Sequence, residues 1–202
     1  MKCDDFVTEN IEIRGVRIHD FDESIIASGY PMQTSGMPVN DKYPTQKQMD
    51  VAKNLAKSAV GSGHDQFMTG ILVSFDLTLP VQVWGELQRY NWIAFVSSGS
   101  KMHGLAKADL GREAFDRHVA LDTIMKVRGL AEAYNANKSE ENFLKLVMNC
   151  PLGFNLTARM TTNFRQLKTM FYQRKNHRLP HWRDFCNWIL TLEGMKDFLG
   201  VE

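Results

Sequence analysis

Residues 67 to 79, Phe-Met-Thr-Gly-Ile-Leu-Val-Ser-Phe-Asp-Leu-Thr-Leu, place apolar side chains on alternate positions at Val73, Phe75, Leu77 and Leu79, and Pro80 stops the run. A period of two commits one side of this segment to a buried surface, so it must be a strand in a sheet that something else covers. Pro80 lacks an N–H and suits the first turn of a helix, which predicts a helix from Val81 to about Phe95, broken by Ser97-Ser98-Gly99-Ser100.

The remaining chain supplies the cover. Pro44-Thr45 opens a segment with Met49, Ala52, Leu55, Ala56 and Ala59 at helical spacing, closed by Gly61-Ser62-Gly63. A longer helix is predicted from Arg112 to about Tyr134, with Phe115, Val119, Leu121, Ile124, Val127 and Leu130 as its apolar face. Ser139-Glu140-Glu141 reads as the start of a further helix, ended by Pro151 and Gly153. Residues 163–176 and 179–192 read as two amphipathic helices, the second carrying Trp182, Phe185, Trp188 and Ile189 as core or subunit interface. Residues 1–44 hold eight acids against four bases, with turn formers at Gly29-Tyr30-Pro31, Ser35-Gly36-Met37-Pro38 and Asn40-Asp41, and read as short strands and loops. The fold class is α+β and rich in helix.

Composition bounds the function. A chain of 202 residues, 44% hydrophobic and 23% charged, is enough for one domain spanning 1–202 with an ordinary core. Its longest apolar stretches, such as Ile71 to Val73 and Trp92 to Val96, fall far short of the roughly 20 residues of a membrane-spanning helix. A formal charge of +1 gives no whole-molecule attraction to duplex nucleic acid, so any nucleotide site must be local. Cys3, Cys150 and Cys186 are odd in number and widely spaced, and the start of the chain lacks the apolar centre of a secretory signal. These features lead us to expect a soluble cytoplasmic protein with neither a disulfide framework nor a zinc site.

The local charge anomaly lies at 159–183, where Arg159, Arg165, Lys168, Arg174, Lys175, Arg178 and Arg183 are joined by His177 and His181 without a single acid. Such a run can be a solvated helix face or an anion site. At about 100° per residue, Asn163 and Arg174 fall on one stripe, opposite Phe164, Leu167 and Phe171, so one face could offer an amide and a guanidinium to a planar polar ligand. A second candidate is Arg89 followed by Ser97-Ser98-Gly99-Ser100-Lys101, where small residues with free N–H groups beside cations can cradle a phosphate, although a plain surface turn has the same pattern. No Walker loop, dinucleotide-binding glycine fingerprint or metal-ligand spacing is present.

Taken in order, two blocks of the chain resemble the flavin-dependent thymidylate synthases, also called thymidylate synthase complementing proteins. The first runs from Gly63-His64 through the strand, Pro80 and Arg89 to Lys101. The second runs from Pro151-Leu152 through Thr161-Thr162-Asn163-Phe164-Arg165-Gln166-Leu167 to Arg174 and matches the family's Thr-x-Asn-x-Arg-x-Leu helix start with an Arg nine residues beyond. The family signature Arg-His-Arg-x-x-Ser-x-Asn-Glu-x-Ser-x-Arg-Tyr is represented by Arg89-Tyr90-Asn91, Ala94, Val96-Ser97, Gly99 and Lys101-Met102, which keeps only the first Arg, with Lys101 a partial substitute.

The resemblance implies a mixed α+β subunit with a central, mostly antiparallel sheet and long helices, assembled as a homotetramer with shared active sites. It implies FAD as cofactor, NADPH and methylenetetrahydrofolate as co-substrates, and dUMP or a related deoxypyrimidine nucleotide as substrate. By the same resemblance His64, Arg89, Tyr90, Asn91, Asn163 and Arg165 would face the flavin cofactor, and Tyr90 and Trp92 could stack on its ring. Arg174 would address the pyrimidine and stand at the centre of catalysis, while Ser97, Ser98, Gly99, Ser100 and Lys101 would surround the nucleotide phosphate. Glu86 falls where the family has a Gln near that phosphate, and Val147 where it has a substrate-binding Arg. Two functions follow: an enzyme transferring a one-carbon unit to C5 of a deoxypyrimidine nucleotide with reduced flavin as hydride donor, or a diverged, non-methylating member that binds or modifies another nucleotide.

Overall fold

In the computed structural model, which describes residues 1–33, 42–91 and 93–201, five strands form one sheet. They are β1 (Phe6–Val7), β2 (Glu12–His19), β3 (Leu72–Pro80), β4 (Ala94–Ser98) and β5 (Asn155–Asn163), in the order β1-β2-β3-β5-β4 with every pairing antiparallel. The predicted strand is β3, and it is central. Val73, Phe75 and Leu77 are fully buried and point to one face, where the Phe75 ring meets Trp188 at 4.6 Å. The other face is polar, with Asp76 opposite Arg159 at 3.3 Å and Thr78 opposite Thr157, their hydroxyls 2.7 Å apart. One covered face and one polar face define a two-layer α+β architecture, as expected.

The cover consists of α1 (Phe21–Ser28), α2 (Gln46–Ala56), α7 (Phe164–Arg174), α8 (Pro180–Ile189) and α9 (Met195–Leu199), with α3 (Val81–Leu87) following β3. α2 begins with reciprocal bonds: Thr45 Oγ1 accepts from the Gln48 N–H, and Gln48 Oε1 accepts from the Thr45 N–H. β5 runs straight into α7 because Asn163 ends the strand and caps the helix, its Oδ1 accepting from the Gln166 N–H at 2.9 Å. A satellite hairpin, α5 (Leu121–Ala136) and α6 (Glu140–Asn149), has its own apolar centre around Phe115, Ile124, Val127, Leu146 and Phe154, while the short α4 (Lys101–Gly104) links it to β4.

Four sequence expectations need correction. The helix after Pro80 stops at Leu87, and 94–98 form edge strand β4 instead of its end. Gly85 weakens that helix, and the β-branched and aromatic run from Ile93 to Val96 satisfies a strand equally well. The 112–134 helix starts only at Leu121, because the Arg112 guanidinium donates to the Asp116 and Val119 carbonyls and holds 112–119 as a turn. Residues 21–28 form α1 within a segment expected to hold only strands and loops; Phe21 packs at 6.0 Å from Phe164 and 6.1 Å from Phe198, a tertiary contact that local composition does not display. Asn163 lies outside α7 with extended backbone, so it does not share a helix stripe with Arg174. The turn residues 35–38 and 40–41, and Trp92, lie outside the described residues.

Candidate functional site

The acid-free segment finds its counter-charge on α3. Glu86 extends toward the end of α7, where its Oε2 accepts a 2.8 Å hydrogen bond from Trp182 Nε1 and lies 3.7 Å from the Arg174 guanidinium and 3.6 Å from His177 Nε2. Arg174 also donates from Nε to the Tyr90 hydroxyl at 2.8 Å, and that hydroxyl donates to Gln173 Oε1 at 3.0 Å. The guanidinium carbon stands 4.6 Å from the Trp182 ring centre and 5.5 Å from that of Tyr90. Two aromatic rings, a carboxylate and the Tyr90 hydroxyl therefore hold Arg174, whose side chain remains 16% exposed, while the His177 imidazole faces the same carboxylate. The cluster can recognise a flat polar ring or an anion, provided Glu86 yields or shares its cation.

This cluster joins three residues singled out from the sequence, Glu86, Tyr90 and Arg174, with two that sequence reasoning placed elsewhere. Trp182 is core, as expected, at 2% exposure, yet its indole N–H is the strongest bond to Glu86. His177 stands out in the sequence only as part of the basic run. Val147 sits on α6, within the satellite hairpin.

The expected cofactor residues divide into committed and open groups. Arg165 donates from Nε to Asp65 Oδ1 at 2.9 Å and from Nη1 to Gln66 Oε1 at 2.8 Å. Beside it, buried Lys168 donates to Asp65 Oδ2 at 2.7 Å and to the Ala56 and Ser58 carbonyls. This network ties α7 to the loop after α2. Burial alone would raise the Asp65 carboxyl, but Lys168 and Arg165 outweigh it and hold the group below the usual carboxylate range. Asn163 Oδ1 is occupied by the helix cap. Eleven residues of helical rise, about 16 Å, separate Asn163 from Arg174, so a ligand touching both must be long.

His64, by contrast, is exposed on a glycine-rich turn and lines a cavity of about 470 Å³ with Ala27, Met32, Leu55 and Phe67. Arg89, past the end of α3, makes no side-chain hydrogen bond or ion pair among the described residues, and neighbouring Asn91 is exposed. The His64 cavity offers an apolar surface beside an imidazole, and Arg89 separately offers a cation without an acid partner among the described residues.

Ser97, Ser98, Gly99 and Ser100 are exposed along and just beyond β4, and Lys101 opens α4 half-buried. The Gly99 N–H donates to the Thr157 carbonyl at 2.9 Å and thereby extends the sheet, so it is not among the free N–H groups expected there. The side chains of Ser97 to Lys101 keep their outward access.

No protein-family model and no curated protein sequence matches the chain. Its likeness is to solved structures. The flavin-dependent thymidylate synthase ThyX of Helicobacter pylori, complexed with FAD and dUMP, superposes with a TM-score of 0.68 at 16% identity, covering 92% of this chain and 97% of that one. A second structure of Helicobacter pylori thymidylate synthase X with FAD and dUMP gives 0.69 at 15% identity, with the same coverage. The fold is the one those enzymes have.

Proposed function

We propose that this chain is a flavin-dependent thymidylate synthase-like enzyme that binds FAD and a deoxypyrimidine nucleotide and directs a one-carbon unit to C5 of the pyrimidine. The observation that carries the reading is Arg174, at the end of α7 and stacked between Trp182 and Tyr90, on a fold shared over 92% of the chain with enzymes described with FAD and dUMP. In this reading the Arg174 guanidinium holds the carbonyl edge of the pyrimidine, and Lys101 with the serines of 97–100 takes the phosphate. His64 and Arg89 hold the phosphates of FAD, and Asn91 and the exposed edge of Tyr90 border its ring. Bound and reduced, FAD supplies a hydride, with NADPH as reductant and methylenetetrahydrofolate as carbon source. The protein contributes binding and orientation, so its erosion from the family signature weakens affinity before it removes a reacting group.

Glu86 favours a second reading. A carboxylate already shares Arg174, so dUMP in the family's usual pose meets a negative group beside the residue that should receive it. That geometry suits a diverged protein that binds another nucleotide or no longer methylates. The visible spectrum after incubation with FAD and desalting, taken before and after dUMP, separates the two. A retained flavin band that shifts with dUMP, followed by tritium release from C5, supports the enzyme. Retained flavin that ignores dUMP moves the search to other nucleotides, and a colourless protein overturns the flavoenzyme and leaves the nucleotide-binding reading.

A further inference from the structure

Beside the 177–182 turn, a cleft of about 700 Å³ is walled by apolar side chains that include Val83, Val119, Leu152, Leu179 and Pro180, and Glu86 is not among its lining residues. Two histidines share one carboxylate there. His181 Nε2 lies 2.8 Å from Asp116 Oδ2, and His118 Nδ1 lies 2.9 Å from Asp116 Oδ1, which also accepts the His118 backbone N–H at 2.8 Å. Three bonds to one carboxylate keep Asp116 ionised: burial opposes its charge, and the bonds from His118 and His181 overcome that opposition.

Asp116 thereby fixes the chemistry of His181. A carboxylate only accepts, so the ring nitrogen facing it must carry the proton, and the other nitrogen of a neutral ring must be an acceptor. That other nitrogen, Nδ1, is buried and has no hydrogen-bond partner among the described residues, while His181 itself is 6% exposed and forms part of the cleft wall. A buried acceptor without a partner costs free energy comparable to a lost hydrogen bond, so its retention in a cleft wall is a signature of ligand recognition. Arg178, exposed on the same cleft and without an acid partner among the described residues, supplies a cation.

We propose that this cleft is a second binding site, separate from the Arg174 cluster, for an aromatic acid that carries a hydroxyl or N–H. The ring system lies on the apolar walls, the donor meets His181 Nδ1, and the acidic group meets Arg178. Consecutive residues of α8 serve the two sites, since Trp182 faces Glu86 and His181 faces Asp116.

The probe is 2-(p-toluidino)naphthalene-6-sulfonate, which combines an apolar ring system, one N–H donor and one anion, titrated by fluorescence into the full-length chain without FAD. Saturable binding of one probe is expected, weakened about tenfold or more by Arg178→Ala and by His181→Phe. Because His181→Phe could disturb folding, Leu152→Trp provides a second test: Leu152 is 57% exposed, and the larger ring fills the cleft. Ring signals of His118 and His181 should move in carbon–proton spectra, while those of His19 and His64 stay still. Displacement should be strongest with 6-hydroxy-2-naphthoate and at least fivefold weaker with 2-naphthoate or 2-naphthol. Absent or unsaturable binding, equal binding by all three variants, shifts at His64 instead, or equal displacement by the three competitors would each overturn the assignment. Arg174→Ala should leave probe affinity unchanged, so the outcome is independent of the proposed thymidylate synthase-like function.

Discussion

The Arg174 guanidinium and the Glu86 carboxylate stand 3.7 Å apart, joined through Trp182, which donates its indole N–H to Glu86 and offers its ring face to Arg174 at 4.6 Å. A guanidinium attracts an external anion through its net charge, and here an internal carboxylate opposes that charge. The cluster is held in a self-neutralised state that an incoming anion would have to disrupt.

Glu86→Gln keeps the shape and one acceptor for Trp182 but removes the charge. Nucleotide affinity should therefore rise at least fivefold, a free-energy gain of about 1 kcal/mol, in line with loss of one partly exposed like-charge contact. Titration of dUMP into the flavin-loaded protein measures it. Arg174→Ala should abolish nucleotide binding with the fold intact; unchanged affinity in that variant would sink the assignment of Arg174.

The Asp65–Lys168 pair, 1% and 2% exposed, is a buried ion pair, and removing one partner leaves the other charge desolvated. Lys168→Met should cost about 3 kcal/mol in urea unfolding at pH 7. The folded-state Asp65 carboxyl lies below its ordinary 3.8, so its contribution is complete above that value and is lost as pH falls through the lower, folded one. The stability gap between wild type and variant should narrow below about pH 3.8. A gap that stayed constant into acid would mean that Lys168 acts through packing and its carbonyl bonds alone.

The three thiols should react in a fixed order. Burial pushes the Cys186 thiol up to about 12, with nearby Arg174 and Lys175 opposing only in part, and raises Cys150 as well. Cys3 is raised too, yet it is the least enclosed of the three. Because the thiolate is the reactive form, a disulfide reagent at pH 8 should modify Cys3 first and Cys186 only on unfolding. Fast labelling of Cys186 in the folded protein would contradict this packing of α8 against α7.

Much of the frame is readable from local chemistry. Period-two alternation and Pro80 mark β3, and the Thr45 and Ser139 caps mark two helix starts, whereas β5 and its junction with α7 at Asn163 are not legible. β4 escapes because an apolar run of five residues satisfies either period, and only pairing with β5 decides between them. The site is less legible still. Glu86 and Trp182 are separated by 96 positions and Asp116 and His181 by 65, so no spacing rule connects them. Asn163 and Arg165, given to the cofactor by the family resemblance, serve a helix cap and an internal ion network here.

The satellite hairpin leads to the last prediction. On α5, Leu121 and Met125 are 66% and 70% exposed one turn apart, and on α6, Leu144 and Met148 are 44% and 76% exposed with the same spacing. Tyr134 and Phe143 pack the two helices together at 5.6 Å, so four large apolar side chains sit on one hairpin. A monomer would leave them in water, and each large apolar side chain gains about 1.5 to 3 kcal/mol on full burial. The homotetramer that the family resemblance implies would use such surface. Light scattering should give a mass above that of the 23.1 kDa chain, and the double variant Met125→Glu and Met148→Glu should lower it without changing the circular dichroism. A wild-type protein that is sharply monomeric at tens of micromolar would exclude shared active sites and require every nucleotide contact to come from one chain.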